Sequence, residues 1–448
     1  MKKRDTAMLA LSLPLFFTGS AHAITLEQAI KNTLNTHPEV SASINSRYSA
    51  DYDLKAAEGG YLPSLNLNAG TGWEQTDNAT TRAADDHRRN LHRSESSVML
   101  TQNVFNGFAT TSEVARQKAT VNSRAYGVSN SSETTALSAI QVYLDVLMRQ
   151  QFVKLAEDNL ASHERIFDQI NLRTQQGVGR QADYEQAQAR LAQARNNLLT
   201  EQTNLEDART NFFSITGREA DDLIQPASIS VPRSLEEARK VMLQTNPLLK
   251  LAESDVDATR QQYEASKSTF YPNVNVEVGR TMDNNIDGTR GHSQEWQAML
   301  RMRYNLFNGG TDKANLTSNA YKLREAQDVR NNAQRQLTEE LRLSWNALKN
   351  AQQQVPIAQQ YADQSYKVRD AYRQQFSIGE RTLLDLLDSE NEVFTAQRRN
   401  IEMKYVELFS GYRIKARTGE LLKAMSIQPS TASEATWAEN QQTLPELK

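Results

Sequence analysis

Residues 379–391 read GERTLLDLLDSEN, a stretch in which acids and a base recur at helical spacing. Asp385 and Asp388 are three positions apart, so a helix carries both carboxylates on one face, with Arg381 one turn earlier. Three roles suit such a pair: holding a metal ion, general acid/base catalysis, or a plain surface function. In the last of these, Arg381 and Asp385, at i and i+4, stabilise their own helix by about 0.3 kcal/mol. A catalytic dyad needs a cleft in which two carboxyl groups titrate apart. The chain carries no Walker A motif, no HExxH and no GxSxG, and its 6 histidines do not fall at ligand spacing. His87 and His92 belong to a polar stretch of loop character. Neither an enzyme, a metal site nor a cofactor is expected, and the role of the two acids depends on the elements that carry them.

The N-terminus indicates a compartment. MKKR is followed by the apolar run AMLALSLPLFF and by Ala21-His22-Ala23, the pattern of a secretory signal over 1–23 with the mature chain starting at Ile24. Loss of Lys2, Lys3, Arg4 and Asp5 takes the basic residues from 51 to 48 and the acidic ones from 54 to 53, a net charge of −5 that argues against a nucleic-acid partner. Cysteine is absent, so there is no disulfide framework, no thiolate nucleophile and no lipidated cysteine. After residue 23 no run of 18 apolar residues occurs. That excludes a membrane-spanning helix and leaves a β-barrel open, because barrel strands carry a weaker signal.

The chain repeats itself. LEQAIKNTLNTHP (26–38) aligns with LEEARKVMLQTNP (235–247) at an offset of 209, which also pairs Pro63 with Pro272 and Gly70 with Gly279. A second block aligns at an offset of 202: VFNG (104–107) with LFNG (306–309), Gly177 with Gly379, Asp183 with Asp385, and TG (216–217) with TG (418–419). The first copy thus holds seven extra residues between its blocks. This divides the chain into a signal (1–23), repeat 1 (24–230), repeat 2 (231–425) and a polar tail (426–448) that reads as a candidate for disorder.

Each repeat changes its hydrophobic period in the same order. Residues 26–58 and 235–268 are rich in helix formers, and Pro63 and Pro272 end them. Alternation follows: Leu65, Leu67, Ala69, Thr71 and Trp73 in the first copy, Val274, Val276 and Val278 in the second, with polar or glycine residues between them. Polar stretches then lead to return strands, the second of which sets Trp296, Ala298, Leu300, Met302, Tyr304 and Leu306 opposite Gln297, Arg301, Arg303 and Asn305. Each repeat thus offers a hairpin with one greasy and one polar face. A soluble sandwich alternates in the same way, so these strands alone leave lipid and protein as equal candidates for the greasy side.

From FNG to TG both copies read as long helices. Tyr184, Leu191, Leu198, Leu205 and Phe212 recur every seven residues, with Ala187, Ala194 and Ala208 in the companion seam, and Leu387, Phe394, Ile401 and Leu408 do the same in the second copy. A seven-residue seam predicts coiled-coil packing. Residues 109–173 as one helix reach about 100 Å at about 1.5 Å per residue, provided that Gly127 does not interrupt them. Gly177 and Gly379 mark the tight turns at which the helices reverse.

With YLPSLNLNAG and FYPNVNVEVG, VFNG and LFNG, and GERTLLDLLD in a duplicated helix, hairpin, long helix, turn, helix unit, the chain resembles the TolC family of outer-membrane channel proteins over about residues 24–425. The resemblance implies a mainly α fold with a small β part. Three copies join four strands each into a shared twelve-stranded barrel in outer-membrane lipid, continuous with a long periplasmic coiled-coil tunnel. It implies a passive exit duct that works with a periplasmic adaptor, or membrane fusion protein, and an inner-membrane transporter of the ABC type. Asp385 and Asp388 then correspond to acidic rings at the tunnel entrance. Asp183, Phe376 and Arg381 correspond to a gate in which an arginine and a tyrosine hold an aspartate, although Phe376 lacks the hydroxyl. Gly177, Val178, Ile378 and Gly379 correspond to the tips that meet the adaptor. The missing cysteine and the look of GVGRQADYEQAQARLAQARNNLL lean toward the type I secretion branch that exports large adhesins. Multidrug efflux is the alternative, and a soluble periplasmic coiled-coil scaffold is the rival from another class.

Overall fold

The computed structural model describes residues 24–435. The signal expected at 1–23 and the part of the tail from 436 onward lie outside the described residues. In chain order the elements are α1 (Leu26–Thr36), α2 (Pro38–Glu58), β1 (Ser64–Thr76), α3 (Ala79–Ala83), β2 (Arg89–Asn106), α4 (Ala109–Gln175) and α5 (Gln181–Thr216). Then follow α6 (Leu235–Thr245), α7 (Pro247–Ala265), β3 (Asn273–Asn284), β4 (His292–Arg303), α8 (Thr311–Ser377), α9 (Leu383–Thr418) and α10 (Leu421–Ala424). The duplication is visible in the bounds: α4 and α8 both have 67 residues and α5 and α9 both have 36. Gly127 leaves α4 unbroken, and a Cβ there would meet Leu251 Cδ1 at 3.6 Å, an ordinary contact.

The segments expected as single helices over 26–58 and 235–268 are each two helices, divided at Pro38 and Pro247. Proline clashes with the turn before it and has no N–H to give, yet its fixed φ suits the first turn of a new helix. The preceding residues, His37 and Asn246, are extended as residues before proline are, with ψ of 127° and 122°. Both cap the helix that follows. His37 Nδ1 accepts from the Glu39 N–H at 3.3 Å, and Asn246 Oδ1 accepts from the N–H groups of Leu248 and Leu249 at 2.9 and 3.2 Å. The helices end before Pro63 and Pro272 through single turns of 3₁₀ helix, Gly59–Tyr61 and Ser266–Phe270.

The four strands form one antiparallel sheet in the order β1-β2-β3-β4. Register places Leu67 opposite Val98, Leu100 opposite Val278, and Val276 opposite Leu300, so one face collects the apolar side chains. That face is open: Trp73 is 82% exposed, and Leu65, Leu67, Trp296, Leu300 and Met302 are exposed with it. The opposite face is polar and paired. Arg93 donates to Glu74 at 2.9 Å, Arg301 to Glu277 at 2.9 Å, and Asn103 to Asn275 at 2.9 Å. The return strand was expected to run through Tyr304 and Leu306, but β4 stops at Arg303. There the Asn305 side chain accepts from the Phe307 N–H at 3.3 Å, and Gly309 and Gly310 follow with φ of +59° and +82°, so a turn takes over. In the first copy, FNG owes its glycine to close approach. Gly107 has φ +65°, and a Cβ there would sit 2.6 Å from the Ser268 carbonyl oxygen.

Five of the seven extra residues of the first copy fall in its hairpin loop, and the other two lengthen the strand ends beside it. Asp77–Arg88 contains α3, closed by a capping box between Asn78 and Thr81, whereas the second hairpin turns within 285–291. Asn78 Nδ2 donates to the Asp287 carbonyl at 2.8 Å and so ties the two loops together.

Two compact units divide the described chain, and each draws segments from both copies. One contains residues 24–32, 139–228 and 365–401; its core joins Ile166, Ile170, Ala187, Leu383, Leu386 and Leu387. Along α5 the expected seam is buried at Ala187, Leu191, Ala194, Leu205, Ala208 and Phe212. Glu201 occupies the same seam and is buried by pairing with Arg398. The other unit contains the sheet, with residues 33–138, 229–364 and 402–435. Its helices pack around Met242, Leu249, Leu341, Trp345 and Ile414, and α2 meets α4 through Ala50, Leu54, Val114 and Val121.

Candidate functional site

All of the residues singled out at 177–183 and 376–388 lie in the first of these units. Two helix reversals build the site. After α4, Gly177 takes φ +74° and its N–H bonds the Thr174 carbonyl at 3.0 Å. After α8, Gly379 takes φ +82° and its N–H bonds the Phe376 carbonyl at 3.2 Å. A left-handed residue ends a helix while satisfying carbonyls that have no partner within it, and glycine adopts it without steric penalty. Each turn presents one apolar side chain to solvent: Val178 is 77% exposed and Ile378 is 70% exposed.

Phe376 is buried in the core of this unit, with the Arg173 guanidinium 5.3 Å above its ring. It has no hydroxyl to donate. Arg381 donates from Nε to Gln375 Oε1 at 2.8 Å and lies 4.2 Å over the Tyr372 ring. Its Nη1 stands 3.9 Å from Asp385. Asp183, in the first turn of α5, has no ion pair among the described residues, so one chain does not itself bring Arg381 and Asp183 together.

Asp385 and Asp388 share a face of α9 but have separate attachments. Asp385 closes a reciprocal cap with Thr382: its carboxylate accepts from the Thr382 hydroxyl at 2.8 Å, and its own N–H donates to Thr382 Oγ1 at 3.2 Å. Asp388 accepts from Arg190 Nη2 of α5 at 3.0 Å. The Thr-x-x-Asp spacing of the first is a readable sequence signal. The second joins residues 198 apart, for which no local pattern exists.

Sequence reasoning also misses the buried charges nearby. Glu390 is 2% exposed at its side chain and accepts from Arg369 at 3.0 Å and from Arg373 at 2.7 Å. His163 is buried close by; burial holds its imidazole below the usual histidine range and so keeps it neutral. In the other unit Glu133 of α4 is buried and accepts from the N–H groups of Leu421 and Leu422 at 3.0 and 3.2 Å. Desolvation pushes its carboxyl up to about 7 against the pull of those two bonds. Among the described residues no group of three or more His, Asp or Glu side chains could hold a metal ion, and no helix is long and apolar enough to cross a membrane.

The family model for outer membrane efflux proteins matches residues 29–218 and 239–408. Over 425 residues the chain is 22% identical to the outer membrane efflux protein BepC of Brucella suis biovar 1, covering 94% of this chain and 91% of BepC. It is 22% identical over 440 residues to the proteases secretion protein PrtF of Dickeya chrysanthemi, covering 94% of this chain and 93% of PrtF. Among solved structures, the Campylobacter jejuni CmeC outer membrane channel superposes with a TM-score of 0.79 at 14% identity, over 88% of this chain and 86% of that one. That likeness concerns the fold.

Proposed function

The chain belongs to the outer membrane efflux protein family, whose members are outer-membrane channels and not enzymes, and on that premise we propose that three copies form the exit duct of a tripartite system for type I protein secretion. The observation that carries the trimer is the sheet. Its four strands leave β1 and β4 each bonded on one side only, and its exposed face is apolar. Unpaired backbone groups are not tolerated in lipid, and four strands cannot close on themselves. Three copies joined β1 to β4 give twelve strands, with the Arg93 and Arg301 face turned to a wet lumen and the Leu67 and Leu300 face to lipid. A soluble coiled-coil scaffold would have no use for that open apolar face.

In this reading the channel lies in the outer membrane with a periplasmic helical extension, and it uses no energy of its own. An ABC-type transporter in the inner membrane and a periplasmic adaptor deliver the cargo. The adaptor meets the tips at Gly177, Val178, Ile378 and Gly379, where two exposed aliphatic side chains offer apolar area. Asp385 and Asp388 line the entrance. Asp183 and Arg381 act as a latch made between neighbouring copies: within one chain Arg381 rests on Tyr372 and stands 3.9 Å from Asp385, and Asp183 has no ion pair among the described residues. Phe376 supports the latch only by packing.

Protein export is put before drug efflux on the cysteine-free chain, and the likeness to a channel named for protease secretion supports it. The same level of likeness to a channel named for efflux supports efflux as the second reading. Deleting the gene separates them. Loss of one large secreted protein from the medium, with drug susceptibility unchanged, is expected for the first; sensitisation to several drugs with secretion intact would establish the second.

A further inference from the structure

Arg190 of α5 comes from the first copy and Asp388 of α9 from the second, and their side chains meet at 3.0 Å. The pair faces water on one side, with Asp388 57% and Arg190 31% exposed. Arg190 Nη1 also donates to Gln193 Oε1 at 3.2 Å, so the guanidinium is held at both ends. One turn before Asp388, Asp385 has its own cation in Arg381 at 3.9 Å and its carboxylate fixed by Thr382. Each acid of the face is therefore matched by an arginine of the same chain. An ion approaching a charge that is paired at contact distance meets a dipole, whose field falls off more steeply than that of a bare charge and is further screened by salt.

We infer that Arg190 is a selectivity-setting residue of the entrance: it neutralises the ring of Asp388 carboxylates and leaves the cation preference of the pore to the more loosely compensated Asp385. This rests on the reading that Asp385 and Asp388 line the entrance. Its consequence for cargo is direct. A polypeptide carries segments of both charge signs, and a balanced ring holds back neither, whereas three bare carboxylates on one axis would trap basic segments. The position that decides this is 190, outside the acidic motif itself.

The test records the purified full-length trimer in a planar bilayer, with magnesium ions added on the entrance side and the reversal potential read in a potassium chloride gradient. Arg190→Gln is expected to lower the magnesium concentration for half-maximal block roughly two- to five-fold, the range that one exposed charge pair supports, and to shift the reversal potential toward cations. Arg190→Lys is expected to keep the native values, and Arg190→Gln combined with Asp388→Asn to return to them. Asp388→Asn alone uncovers the guanidinium and is expected to shift selectivity toward anions, which keeps the inference testable if the Arg190→Gln trimer fails to assemble. Asp385→Ala with Asp388→Ala tests the underlying reading. If that double variant alters block while neither Arg190→Gln nor Asp388→Asn moves selectivity, the acids line the entrance and the inference about Arg190 is wrong. If the double variant behaves as the native channel, the acids do not line the entrance and both fall.

Discussion

The guanidinium of Arg369 donates to the carboxylate of Glu390 at 3.0 Å with both side chains buried, so two charges of α8 and α9 are taken out of water together. Removing one partner of such a pair leaves the other charge buried without compensation, at a cost of about 3–5 kcal/mol. Glu390→Ala is therefore expected to lower the Tm of the purified protein markedly. Arg373→Ala, whose guanidinium is partly in water, is expected to cost only about 0.2–1 kcal/mol. Thermal melts of the two variants side by side check this: equal losses would show that Glu390 is not the buried centre of the cluster.

Glu133 gives a pH dependence whose sign is fixed by its environment. Its folded value of about 7 lies above the ordinary carboxyl value of 4.5, so the native state keeps the proton longer than the unfolded chain. The stability from this group is fully present below the ordinary value and is lost as pH rises through about 7, a total on the order of 3 kcal/mol. Hydrogen exchange of the Leu421 and Leu422 amides, followed from pH 5 to pH 8, is expected to accelerate beyond its intrinsic rise. Glu133→Gln is expected to remove the excess; an excess that persists in this variant would assign the pH dependence to another group.

The duplication made most of the fold legible. Offsets of 202 and 209 place α8, α9, α6 and α7 once α4, α5, α1 and α2 are read, and alternation marks four strands. What escaped was local or distant. The breaks at Pro38 and Pro247 were lost because a composition rich in helix formers continues on both sides of them, although Pro after His or Asn at the first position of a helix is a readable start. The end of β4 at Arg303 depends on the Asn305 turn, which the continuing alternation of Tyr304 and Leu306 hides. In the site, the cap between Thr382 and Asp385 follows from spacing. The pairs of Arg190 with Asp388, Arg398 with Glu201 and Glu133 with the Leu421 amide depend on which helix faces pack together. A helical wheel of one segment does not contain that information.

Val178 and Ile378 are expected to carry adaptor contact. An aspartate in place of either removes an aliphatic contact and adds a charge to be desolvated; a loss of about 1.4 kcal/mol weakens binding tenfold. Val178→Asp and Ile378→Asp should lower export and cross-linking to the adaptor by about tenfold or more, while trimers reach the outer membrane as before. Undiminished cross-linking would place the adaptor elsewhere.

Arg381→Ser is expected to raise single-channel conductance by loosening the latch to Asp183 of the neighbouring copy. Three symmetric links of about 0.2–1 kcal/mol each act together, and no tyrosine hydroxyl reinforces them here. Double substitution with Asp183→Ala should add little, since both remove the same link. A conductance unchanged in Arg381→Ser would restrict this arginine to Tyr372 and its own helix end.

The central claim is that the sheet spans the outer membrane with its hairpin loops outside and the helical tips in the periplasm. Because the chain has no cysteine, single cysteines report position without background. Asp287→Cys in the second hairpin loop and Val178→Cys at the tip are exposed to a membrane-impermeant maleimide on intact cells, and again after the outer membrane is permeabilised. The account predicts labelling of residue 287 in intact cells and of residue 178 only after permeabilisation. Labelling of both positions only after permeabilisation would contradict it.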